Sequence, residues 1–60
     1  MLEQLKAEYT SMQGYYDDLL LYLLKDIPQA DYDLGKAQLQ VTSDYLRILS
    51  ARIARAQNDR

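Results

Sequence analysis

Asp17 and Asp18 are adjacent acids, the pattern in which acid–base work or a bound cation would first be sought. On a helix, consecutive side chains point about 100° apart, so these two carboxylates do not converge on one ligand. Positions 20 to 22, one turn further on, are Leu, Leu and Tyr and offer no third ligand. The pair reads as a solvated acidic patch. The chain has no Cys and no His, which removes disulfides, thiolate and imidazole metal ligands, and the usual nucleophile–base pairs. Gly14 and Gly35 stand alone, so no glycine-rich loop is present to cradle phosphate. No Ser sits in a strand–turn–helix elbow, and the Glu-x-x-His motif of di-metal helical bundles is missing. The expectation is a non-enzyme with no catalytic residue, no cofactor and no metal.

Two other residue types could still recognise a partner. Arg47, Arg52, Arg55 and Arg60 make the C-terminal end basic and could meet phosphate. Cations near a helix C-terminus are also favoured by the helix dipole alone. Arg47 lies on another side from Arg52 and Arg55, so there is no dense stripe, and the sequence pI is 4.7. The second type is Tyr: six of them, with no Phe and no Trp. Tyr brings a large rigid surface with a polar tip, which suits half-buried bundle positions and interfaces alike.

One break organises these residues. Pro28 lacks an N–H and drives Ile27 out of the α region. The expected elements are helix 1 over about 2–26, a loop over about 27–32, and helix 2 over about 33–58, with Asp31 or Asp33 as its N-cap. Together they form one helical-hairpin domain over 1–60. Leu2, Leu5, Tyr9, Met12, Tyr16, Leu19 and Leu23 repeat at alternating steps of 3 and 4 residues, an unbroken heptad seam. Leu39, Thr42, Leu46, Leu49, Ile53 and Ala56 repeat in the same way. Folded back on each other, the two seams align when partner numbers sum to 58 (Leu19 with Leu39, Leu5 with Ile53). No stretch alternates like a strand. The predicted fold is all-α, an antiparallel two-helix hairpin.

The flanks of that seam differ. One carries Lys6, Gln13, Ser43, Ser50 and Gln57 and is wet except near the loop, where Leu20 and Ile27 fall. The other carries Tyr15, Tyr22 and Tyr45, with Val41 and Ile48 one column outward and Glu8 and Arg52 placed to pair at its open end. Leu20, Leu21 and Leu24 remain for the loop residues Ile27, Tyr32 and Leu34, or for another chain. Gly14 reads as a surface glycine, and Gly35 as a cheap one in a frayed first turn. Charge is uneven: residues 1–34 carry two lysines against seven acids, net −5, and residues 35–60 carry five cations against two acids, net +3. The two halves attract.

A 60-residue core rarely yields more than about 3–5 kcal/mol without reinforcement. The expectation is therefore a homodimer, a four-helix bundle docked through Tyr15, Tyr22, Val41, Tyr45 and Ile48. It would act on a protein partner of unknown identity as adaptor, inhibitor or assembly component, and its size is that of phage- or plasmid-type accessory proteins. The alternative is a dimeric RNA- or DNA-binding regulator using Arg47, Arg52 and Arg55. A peripheral membrane role is disfavoured, since the apolar run at 19–24 is flanked by acids. With no secretory signal pattern and no long apolar run, a cytoplasmic location is expected.

Overall fold

The first helix closes ahead of Pro28, and the second begins just after it. In the computed structural model, which describes residues 1–58, the Pro28 carbonyl accepts the Tyr32 N–H at 3.0 Å. Helix α1 spans Leu2–Leu23 and helix α2 spans Gln29–Asn58. The break is therefore residues 24–28, upstream of the 27–32 expected from the sequence. Proline is favoured at the start of a helix, where its missing N–H has no intrahelical partner to lose. Asp31 consequently falls inside the first turn of α2, facing the positive end of the dipole. Asp33 accepts from Gln29 Nε2 at 2.9 Å, one turn back. Neither acid opens the helix. Helix α1 closes on Leu24, with short-range bonds from Leu24 N to Leu21 O (3.2 Å) and from Lys25 N to Tyr22 O (3.1 Å). No glycine or positive φ is used there.

The two helices lie against each other as a hairpin. Every seam position expected from the heptads is buried or half-buried. Leu5, Thr42, Leu46 and Leu49 are the deepest of them, and Leu49 is 0% exposed. Thr42 satisfies its hydroxyl by donating to Gln38 O at 2.8 Å, and no buried side-chain polar atom among the described residues lacks a partner. The core is thus one line of side chains. The radius of gyration is 14.2 Å, against about 10 Å for a compact chain of this length. The molecule measures 49 × 15 × 12 Å, a rod one helix pair wide and one helix thick.

Gly35 corrects the expectation of a cheap, frayed glycine. It is buried, and a Cβ built on it would lie 2.7 Å from Leu23 Cδ2. Residues 23 and 35 sum to 58, so this close approach sits on the expected register. It also places Gln29–Leu34 beyond the end of α1, an overhang of about 9 Å that residues 24–28, a closing turn at Leu24 and Lys25 followed by irregular chain, must span. Gly14 is the opposite case: a Cβ there meets nothing within 4 Å.

These two glycines give a paired test. Gly14→Ala is expected to stabilise the protein by up to about 1 kcal/mol, the helix-propensity gain. Gly35→Ala should lose that gain to the Leu23 clash and regain it in a Leu23→Ala background. Urea unfolding of the single and double variants measures this. A Gly35→Ala variant as stabilised as Gly14→Ala would contradict the close packing.

Candidate interaction face

Along one edge of the seam, polar groups of the two helices reach across to each other. The Tyr45 hydroxyl donates to Glu8 Oε2, and Gln38 Nε2 donates to the Tyr15 hydroxyl. Both pairs are seven residues apart on each helix, so they repeat the heptad as parallel diagonal links along one edge. The Glu8–Arg52 pair expected from the sequence does not form. Glu8 takes the tyrosine, and Arg47–Asp44 (3.5 Å, within α2) is the one ion pair among the described residues. A tyrosine reaches across a seam without desolvating a guanidinium, so the neutral donor is the less costly partner at a half-buried site.

The tyrosine rings leave an apolar face beside this edge. Tyr15 and Tyr22 are about two-fifths exposed, at 41% and 39%, and Val41 and Ile48 are more open, at 68% and 52%. Tyr45 is half-buried. Leu34, 71% exposed, belongs to the same face. It is seven residues before Val41, as Ile48 is seven after, so the three form one column on α2. Sequence reasoning placed Leu34 under the loop and missed this, although the seven-residue spacing was present to be read. Between Tyr15, Asp18, Leu19 and Tyr22 lies a depression of about 280 Å³ on the α1 side. Exposed apolar residues grouped on one face are the usual mark of an interaction site.

A second apolar group sits at the loop end. Leu20, Leu21 and Leu24 are exposed, Leu24 at 82%. The loop does not cover them, because residues 24–28 are committed to climbing the α2 overhang. Ile27 and Tyr32 are half-buried there, and Lys36 Nζ lies 5.7 Å from the Tyr32 ring centroid.

The remaining candidates are dispersed. Asp17 accepts from Gln13 Nε2 at 3.2 Å, and Asp18 lines the depression. Among the described residues no cluster of three or more acidic side chains is placed to hold a metal ion, and no helix is long and apolar enough to cross a membrane. Arg47, Arg52 and Arg55 are all exposed. Arg47 is tied to Asp44 on a different side of α2 from Arg52 and Arg55, and Arg60 lies outside the described residues. No protein-family model matches the chain, and no curated protein or solved structure matches it either.

The cross-seam tyrosine bond is open to direct measurement. Tyr45→Phe keeps the ring and removes the donor to Glu8, and should cost about 1 kcal/mol in urea unfolding. Glu8→Ala should cost nothing further in that background. An additive double variant would show that the two residues are not coupled.

Proposed function

We propose that the chain is a non-enzymatic helical hairpin acting through protein–protein interaction. Two copies associate through the face of Tyr15, Tyr22, Val41, Tyr45 and Ile48 into a four-helix bundle. The bundle then serves a protein partner in the cytoplasm as adaptor, inhibitor or assembly component. The observation that carries this reading is the uncovered apolar column beside the tyrosine edge.

Surface area supports it. The chain exposes 4797 Å², against roughly 4,000 Å² for a compact monomer of 7.0 kDa. A rod with a single seam has no second layer to hide its outer apolar residues. Each Leu, Val or Tyr fully covered on association contributes roughly 1.5–3 kcal/mol, comparable to a large part of what so thin a core can supply.

The competing reading is phosphate binding by Arg52 and Arg55, which are exposed near one another on α2. The net charge of −2 and the pairing of Arg47 with Asp44 weigh against it.

Sedimentation equilibrium separates the outcomes. A species of about 14 kDa is expected at micromolar concentration. Val41→Asp should weaken association by roughly a hundredfold, since it would bury an unpaired carboxylate. Ser43→Asp on the wet flank should leave association unchanged. A folded 7 kDa monomer at all concentrations would refute the reading. Binding to a generic RNA or DNA oligomer that falls steeply between about 50 and 200 mM salt would favour the alternative.

A further inference from the structure

The exposed apolar column of α2 bears on how two copies meet, an inference that rests on the self-association proposed above. The rod offers one broad side of 49 by 15 Å, a footprint of roughly 700 Å² per copy, close to the ~800 Å² per partner of a stable interface. A crossed or end-on contact would cover only a square about 15 Å wide, roughly 200 Å² and too little. The rods must therefore lie side by side along their length. A two-fold axis then leaves two choices: both loops at one end, or loop end beside open end.

Charge selects between them. The hairpin fold converts the sequence's charge imbalance into polarity along the rod. The loop half, residues 13–45, carries Lys25 and Lys36 against Asp17, Asp18, Asp26, Asp31, Asp33 and Asp44, net −4. The open half, residues 1–12 and 46–58, carries Lys6, Arg47, Arg52 and Arg55 against Glu3 and Glu8, net +2. Loops at one end would press −4 against −4. The reverse arrangement sets each acidic end along a basic one.

The column itself then fixes the axis. Leu34, Val41 and Ile48 are evenly spaced, so an antiparallel α2–α2 contact centred on Val41 matches all three: Leu34 of one copy meets Ile48 of the other, and Val41 meets Val41. Shifting the axis by half a heptad towards the C-terminus leaves Leu34 facing Arg55, and shifting it the other way takes Ile48 past the start of α2 to the level of Ile27. The Val41-centred register makes a second match that was not used to choose it. Residues whose numbers sum to about 82 become level, so Arg52 of one copy comes beside Asp31 of the other. Both residues lie on the helix column that also carries Gln38 and Tyr45, the column at the tyrosine edge. Neither has an ion-pair partner within its own hairpin among the described residues. We infer that this surface takes a second copy in antiparallel orientation, with a two-fold axis at Val41 and reciprocal Arg52–Asp31 pairs at its ends.

The chain has no Cys, so single-cysteine variants at exposed positions give a clean readout. Leu34→Cys and Ile48→Cys are each mixed with themselves and with each other, then treated with a short bismaleimide. The expected result is efficient crosslinking in the 34-plus-48 mixture, and little in either alone. Val41→Cys should crosslink with itself. Self-crosslinking of 34 and of 48 would overturn the orientation while leaving self-association standing. Absence of any dimer in sedimentation would remove both. Arg52→Asp should weaken the dimer about tenfold, and adding Asp31→Arg to the same chain should restore most of the loss. Failure of the charge swap to recover affinity would overturn the Val41-centred register.

Discussion

Two helices touch along a single line, and the narrowness of that line governs the whole molecule. A bundle of three or four helices encloses a core, so residues beside each seam fall into another seam. A hairpin cannot do this. Among the described residues Leu5, Leu46 and Leu49 are the only buried large apolar side chains, Leu49 alone at 0% exposure, and residues one column away are at best half-covered. Stability must then come from making the line continuous. Gly35 shows how far this goes: a residue that costs about 1 kcal/mol in helix propensity is placed where the tip of Leu23 occupies the space a Cβ would take.

The tyrosines follow from the same geometry. A residue at the edge of a seam has one side against the partner helix and one side wet. Phe would leave apolar atoms in water there without compensation. Tyr15 and Tyr45 instead extend a hydroxyl to Gln38 and Glu8 of the opposite helix. Each closes the edge of the seam while its ring still presents apolar surface. The proposed docking face and the hairpin's own edge are therefore built from the same side chains. Substitutions at Tyr15 or Tyr45 mix folding with association, whereas Val41 and Ile48, outside the seam, report on association more cleanly.

Much of this was legible in the residues. The heptad steps identify the seam positions and the sum-of-58 register, because a 3,4 repeat over six or seven positions leaves a helix only one face to bury. The apolar flank was legible for the same reason. Other features were not, and the causes are physical. Residues 24–26 are all compatible with a helix, so local preference extends the first helix through them. In the closed hairpin the chain leaves the helix there through a tight turn at Leu24 and Lys25 and spans the α2 overhang. Pro28 reads as a stop, yet its fixed φ serves equally as a start. Gly35 looks like a weak point until Leu23 is set opposite it. Glu8 had two candidate donors at suitable columns, Arg52 and Tyr45, and only the geometry of the closed seam chooses the tyrosine.

The central claim is that the chain doubles back at 24–28 and that its two heptad seams close in this register. Spin labels at Lys6→Cys and Ser50→Cys, both on the wet flank, test it most directly. They are read by pulsed dipolar spectroscopy in a large excess of unlabelled protein, so that only distances within one chain count. The hairpin places these positions nearly level on neighbouring helices, and a separation of about 10–20 Å is expected. A distribution centred near 66 Å, the span of 44 residues in one continuous helix, would contradict the account.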